Sequence, residues 1–195
     1  GTPEIAVSDE YDAANRRYTL TIAQRTPPTP GQPDKQPVVI PVAMGLLDGN
    51  GQELATRLEN EASAQEGTRV LLADKTESRF VFADVASPPV PSLLRGFSAP
   101  VKMTGLSRDR LRFLAQHDTD PFARWESGQQ FATAVLLDIV AALQRGETPA
   151  LDPALIQAMD SVLDGNDPAF VAEALTLPGE AFLADQMTVV DPDAL

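Results

Sequence analysis

Tyr18, Leu20 and Ile22 alternate with Thr19, Thr21 and Ala23, the period-two arrangement of a strand with one face in a core and the other toward water. Comparable runs cover residues 4–8, 38–47, 69–73, 79–83, 92–97 and 101–103. Turn chemistry separates them. Asp48-Gly49-Asn50-Gly51 supplies residues that accept positive φ, and residues 12–15 supply a second polar turn. About seven short strands with frequent turns predict an antiparallel β-sandwich and not a βαβ sheet. Pro37 and Pro41 flank one of the runs. A proline lacks the amide that a ladder needs, so residues 38–42 are expected at a sheet edge or a bulge.

After Gly105 the apolar spacing lengthens to that of a helix. Ser107 is placed to cap a helix carrying Leu111, Phe113 and Leu114. Asp120-Pro121 opens a longer one, with Trp125, Ala132, Leu136, Ile139 and Leu143 as its predicted apolar stripe and Gly146 as its stop. Asp152-Pro153 and Asp167-Pro168 repeat the opening: the carboxylate accepts orphan amide hydrogens, and proline occupies the first turn, where no donor is needed. Gly165 ends one helix and Pro178 follows another. The helices are short, unequal and without a fixed period. The expected organisation is a sandwich over residues 1–104 followed by an all-α segment over residues 105–195. Asp191-Pro192 carries the same start signal with three residues after it, and Gly1 has no initiator methionine before it. Both ends are therefore expected to be cuts within a longer protein, leaving apolar surface near Leu175, Phe182 and Leu183.

Composition narrows the chemistry. The formal net charge of −13 and a sequence pI near 4.3 argue against nucleic acid, which selects clustered Lys and Arg, and against anionic membranes. The longest apolar stretch, residues 132–143, contains Asp138 and is far shorter than the roughly 20 residues that span a bilayer. With no cysteine, disulfides, thiolate metal sites and a cysteine nucleophile are excluded. A cytoplasmic location is compatible with this composition.

Candidate chemistry is sparse. The single histidine, His117, rules out a pair of histidines one helical turn apart for zinc. Beside Asp118 and Asp120 it could act as a base or a ligand, but it reads more simply as a helix-terminal residue among acidic neighbours. Ser63, Ser87 and Ser98 lie in no nucleophile turn. Asp48 with Asn50, and Asp164 with Asn166 and Asp167, lack the spacing of a calcium loop and read as turns and caps. No glycine-rich phosphate cradle occurs. Trp125, between Arg124 and Glu126, is read as core together with Phe122. The stretch TPPTPGQP, residues 26–33, is stiff and polyproline-biased, and reads as a rigid loop between strands or against a neighbouring domain. No catalytic, cofactor-binding or metal residue is assigned.

Four segments resemble the bacterial branch of the aminopeptidase N family. YTLTIAQRTPPTPGQPDKQ, residues 18–36, is similar to the start of that family's small sandwich domain; residues 97–101, FSAPV, are similar to its final strand. FARWE at 122–126 and ALTLP at 174–178 resemble two motifs of its helical domain. The resemblance implies the small immunoglobulin-like domain and the start of the helical domain of a zinc-dependent aminopeptidase that releases N-terminal amino acids from peptides. It also implies the partners: the catalytic and C-terminal helical domains of the same chain, with peptide reached only through them. The family's catalytic motifs do not occur here. There is no His-Glu-x-x-His and no Gly-x-Met-Glu-Asn, and Tyr11 and Tyr18 do not match the family's transition-state tyrosine. Zinc is accordingly expected in the parent enzyme and in no site of this segment. The competing expectation is an independent interaction module with the same sandwich and an appended helical bundle.

Overall fold

The computed structural model describes all residues, Gly1–Leu195. Nine strands come first: β1 (Glu4–Asp12), β2 (Arg17–Arg25), β3 (Ile40–Leu47), β4 (Glu53–Leu54), β5 (Arg57–Leu58), β6 (Arg69–Ala73), β7 (Glu77–Ala83), β8 (Val90–Leu93) and β9 (Lys102–Thr104). Five helices follow: α1 (Arg108–His117), α2 (Pro121–Gln144), α3 (Pro153–Leu163), α4 (Pro168–Ala174) and α5 (Glu180–Asp185). The expected class, a β-sandwich followed by short helices, is the one observed. By contacts the chain forms two units, Gly1–Ser107 with His117–Ala123, and Arg108–Gln116 with Arg124–Leu195.

In the first unit, one sheet runs β5-β7-β2-β1-β9 and the other β4-β3-β6, with β8 also paired to β3. All pairings are antiparallel except three residues of β9 alongside β1. The alternation read from β2 holds: Tyr18, Leu20 and Ile22 are buried while Thr19 and Thr21 stay partly exposed. They face Val42, Met44 and Leu46 of β3 and Leu71 and Ala73 of β6 in one core, with Ile5, Val7 and Phe82 beside them. The Tyr18 and Phe82 rings, paired across β2 and β7, lie 6.0 Å apart. Burying such side chains contributes about 1.5–3 kcal/mol each.

Four expectations need correction. The strands number nine, because β4 and β5, two residues each, are too short to show a period. The run 92–97 is not one strand: β8 stops at Leu93 and a 3-10 turn spans Arg95–Phe97. Residues 38 and 39 precede β3, with Val38 43% and Val39 64% exposed. In α2 the buried positions are Ala123, Ser127, Phe131, Ala132, Val135, Val140 and Ala142; Trp125, Leu136 and Ile139 are only partly buried, and Leu143 is exposed. Choosing the larger side chains as the stripe shifted the predicted face.

β3 is not an edge strand, but at Pro41 it pairs on one side only, with β6, since β4 and β8 join it from Met44 onward. Ala43 donates its amide to Ser98 Oγ at 3.0 Å, so the neighbouring strand β6 does not use that amide. Pro41, two residues earlier, points its missing amide the same way. The proline-rich loop is closed at its base by Gln24, a buried β2 residue. Its Oε1 accepts from Val38 N at 2.9 Å, and its Nε2 donates to the Val38 and Ala73 carbonyls at 2.9 and 3.0 Å. At its tip Thr29 and Gln32 exchange backbone bonds across Pro30-Gly31, with Gly31 at φ 80°, which requires glycine.

In the helical unit, the Asp-Pro openings cap as the sequence implies. Asp152 Oδ1 accepts from Ala154 N at 2.8 Å, and Asp167 Oδ1 from the Ala169 and Phe170 amides at 3.0 and 3.2 Å. After α2, Gly146 at φ 72° lets its own amide and that of Glu147 close on Leu143 and Ala142 carbonyls. Leu155, Ala158 and Val162 form the buried face of α3. Of the apolar surface expected near the end, Phe182 is 53% exposed but Leu183 is buried.

Gln24→Ala removes one side chain that serves three backbone groups, and is expected to cost about 1–3 kcal/mol of stability. Urea denaturation checks it; Gln24→Glu, which keeps the acceptor and loses the donor, is expected to fall at least as far. Wild-type midpoints in both variants would count against the role given to this side chain.

Candidate functional site

The residues singled out by the sequence do not converge. His117 ends α1 and packs on the Asp48–Gly51 turn; a Cβ placed on Gly51 would lie 2.8 Å from the His117 Cβ. Asp48 Oδ1 is taken up by the Asn50 and Gln52 amides at 2.8 and 2.9 Å, and Asp167 is a helix cap. Tyr11 donates to the Val85 carbonyl at 3.0 Å, and Tyr18 is a core residue. Ser63 and Ser87 are exposed, while Ser98 is the β3 partner already described. No group of three His, Cys, Asp or Glu side chains stands close enough to hold a metal ion.

Phe122 and Trp125 were expected to share a core face, and they do not. Phe122 stacks at 5.3 Å and a tilt of 57° on Phe97, within the sandwich unit. Trp125 lines a small apolar cleft of about 30 Å³ within the helical unit, beside Phe131, Leu155 and Phe170. There Arg124 lies 5.2 Å over the Phe170 ring and donates to the Ala115 carbonyl at 3.1 Å. The cleft carries no cluster of titratable groups.

The most developed polar arrangement is one that the sequence reading missed. Arg95, its side chain 3% exposed, lies in the interior of the sandwich unit. Its Nε donates to Ser92 Oγ at 2.8 Å, and Nη1 donates to Thr68 Oγ1 at 3.0 Å and to Glu53 Oε1. Nη2 donates to Thr119 Oγ1 at 3.3 Å and stands 3.6 Å from Asp118 Oδ1. Thr119 in turn donates to Glu53 Oε2 at 3.1 Å. The guanidinium rests against β3 where residue 45 is glycine: a Cβ there would sit 2.5 Å from the Arg95 Cζ. Gly45 is therefore required for space. Arg95 thus joins β4, β8, the loop before β6 and the connection between α1 and α2.

Backbone geometry around Arg95 is unusual. Leu94, Gly96 and Phe97 have φ of 56°, 59° and 56°, and each non-glycine residue in that region costs about 1 kcal/mol or more. The Gly96 amide donates to Asp120 Oδ1 at 3.2 Å, an oxygen that also caps α2 through Ala123 N at 2.8 Å.

Asp118 is the acid whose pKa burial raises above the ordinary 3.8, against the opposing effects of the Ser92 hydroxyl, the Asp120 amide and the Arg95 guanidinium. Oδ1 accepts from Asp120 N at 3.0 Å, and Oδ2 is buried without a hydrogen-bond partner. A second buried arginine, Arg69, pairs with Glu61 at 2.8 Å and lies 5.8 Å from the Phe82 ring centroid. That bond lowers the Glu61 pKa, with the Leu58 amide and the charges of Arg69 and Arg57 adding to it. Arg95 donates to protein groups through all three of its nitrogens, whereas Arg69 does so through Nη2 and its Nη1 is buried without a hydrogen-bond partner.

Arg95→Ala leaves Glu53 and Asp118 without their cation and is expected to cost about 3–5 kcal/mol. Gly45→Ala is expected to approach that loss by displacing the guanidinium, although alanine is a milder change on any propensity scale. Chemical denaturation checks both; a Gly45→Ala protein as stable as wild type would contradict the packing argument. For Asp118 the raised native pKa means that its contribution to stability is complete below 3.8 and is lost as pH rises through the raised value. Asp118→Asn, which keeps the Asp120 contact, is therefore expected to gain on wild type as pH rises above 3.8. A stability difference that is flat over that range would refute it.

Residues 1–105 match the family described as a domain of unknown function, DUF3458, with an Ig-like fold, and residues 108–195 match the one described as DUF3458_C, ARM repeats. The chain is 38% identical to aminopeptidase N of Escherichia coli K12, 32% to that of Haemophilus influenzae Rd and 41% to that of Caulobacter vibrioides. Each alignment covers 100% of the chain, which spans 22%, 22% and 21% of these relatives' lengths. Among solved structures, Legionella pneumophila aminopeptidase A in complex with aspartic acid matches with a TM-score of 0.77 at 30% identity, over 100% of this chain and 20% of that one. The chain belongs to the DUF3458 family, with its Ig-like fold over residues 1–105, and corresponds to a segment carried within bacterial aminopeptidases N.

Proposed function

We propose that this chain is a non-catalytic segment of a zinc aminopeptidase that releases N-terminal amino acids from peptides. In this reading a sandwich of residues 1–104 and a helical part of residues 105–195 join the parent's catalytic domain to the rest of its helical domain. The observation that carries it is the match of the whole chain to about a fifth of three aminopeptidases N. The polar groups support the same reading, since the best-connected side chains, Arg95 and Arg69, are spent on internal ion pairs. Zinc, peptide substrate and the catalytic tyrosine and glutamate would belong to other parts of the parent. The parent would work in the cytoplasm; within this chain, no helix is long and apolar enough to cross a membrane.

The proline-rich loop is the element most suited to a fixed contact with the catalytic domain. Residues 28 and 30–34 are exposed, yet Gln24 anchors the base and a tight turn closes the tip. A stiff loop loses little conformational freedom on docking.

The test uses the full parent and the 195-residue chain side by side. The parent is expected to hydrolyse aminoacyl p-nitroanilides and to lose that activity on treatment with a zinc chelator, while residues 1–195 alone hydrolyse none. Hydrolysis by the isolated chain would overturn the reading. In the parent, Pro27, Pro28 and Pro30 replaced together by glycine are expected to lower the thermal midpoint by a few degrees and weaken domain association, an effect of about 1–2 kcal/mol. Unchanged stability and activity would remove the loop from the interface.

A further inference from the structure

The two halves of the Arg95 arrangement support one another in a way that neither could manage alone. Residues 94–97 hold three left-handed backbone positions in four residues, with a single backbone bond of their own, Phe97 N to the Leu94 carbonyl at 3.0 Å. Leu94 sits in the sandwich core and Arg95 also bonds Glu53, Thr68 and Ser92; the remaining support comes from His117–Ala123, the end of α1, its connection and the first turn of α2, which pack with the sandwich unit. Arg95 meets Thr119 and Asp118, the Gly96 amide meets Asp120, and the Phe97 ring meets Phe122. Each of the three residues of the 3-10 turn has its counterpart in the connection. Phe97 is already 58% exposed, so without Phe122 little apolar packing would retain its conformation.

The hydrophobic pattern of residues 92–97 is that of a strand, yet the strand stops at Leu93. Local preference and tertiary contact disagree at this point, which is the condition for a segment with two positions. In one, the connection is docked and the chain turns sharply after β8. In the other, the connection is released and residues 94–97 relax toward the extended form that their sequence favours. An extended segment would carry Arg95 away from Gly45 and dismantle the seat for Thr119, so mixed combinations are disfavoured.

We infer that residues 94–97 and His117–Ala123 form a two-position strap that docks and releases as one cooperative unit, with the Arg95 guanidinium as its fastening. The inference concerns the sandwich unit alone and does not depend on the parent's activity. Release is a local opening, distinct from unfolding of the core formed by Leu20, Ile22, Val42 and Met44.

Native-state hydrogen exchange on the full 195-residue chain tests it at four bonded amides, Gly96, Phe97, Asp120 and Ala123. After correction for intrinsic rates, the four are expected to agree in protection within about threefold and to exchange well before the amides of Leu20 and Ile22. Thr119→Ala, a surface-mild change that touches neither the Gly96 nor the Phe97 backbone, is expected to speed all four by the same factor, about tenfold. Phe122→Ala is expected to do the same through the ring contact. Faster exchange confined to Asp120 and Ala123 in either variant would overturn the proposal. So would exchange of all four only together with the core amides, since no separate strap would then exist.

Discussion

A guanidinium buried inside a β-sandwich must be surrounded by acceptors, and the neighbourhood of Arg95 is organised by that requirement. An unpaired cation in this setting would cost several kcal/mol. Glu53, Ser92, Thr68, Thr119 and Asp118 supply oxygen from four separate parts of the chain. Only a glycine at 45 lets the group lie flat against β3, and only a sharp left-handed turn after Leu93 aims it there. The short β4, otherwise too brief to be secure, is held because Glu53 belongs to it. An ion pair of this kind is weak grounds for stability on its own, but it is demanding of geometry. It fixes which segments must be adjacent, while the hydrophobic core beneath supplies the free energy.

That division between specificity and stability fits the structural role proposed for the segment. Catalytic groups generally sit in clefts with donors or acceptors left open toward a substrate. Here the perturbed acid, Asp118, is buried against an arginine already committed to other partners, and the histidine is packed on a turn. The apolar cleft of the helical unit is small and has no convergent titratable groups. Such features suit an element whose task is to hold a shape, and they agree with an alignment confined to a fifth of each aminopeptidase.

The elements that were legible share a physical cause. Where one face of a strand is buried, period-two alternation is forced, and β2 and β6 could be read directly. The Asp-Pro openings were legible because capping is local: acceptor, proline and first-turn amides lie within three residues of one another. The 92–97 run misled because its pattern is that of a strand, and the contacts that override it come from residues more than twenty positions later. The stripe of α2 misled because large side chains were weighted above small ones: Ala132 does face inward, but so do Ala123, Ser127 and Ala142, which were left out of it.

The sequence by itself determined the class of the fold, the order of sandwich and helices, the caps and turns, and the absence of the residue spacings that zinc, nucleotide or nucleophile sites require. Each of these is written in neighbours along the chain. The tertiary structure alone decided that Arg95 is an internal fastening, that Gly45 exists to admit it, that Gln24 closes the proline loop, and that His117–Ala123 packs with the sandwich. Those facts depend on groups such as Arg95, Glu53 and Asp118, brought together from distant positions, where a buried charge must find its partners and where no local pattern records which ones they are.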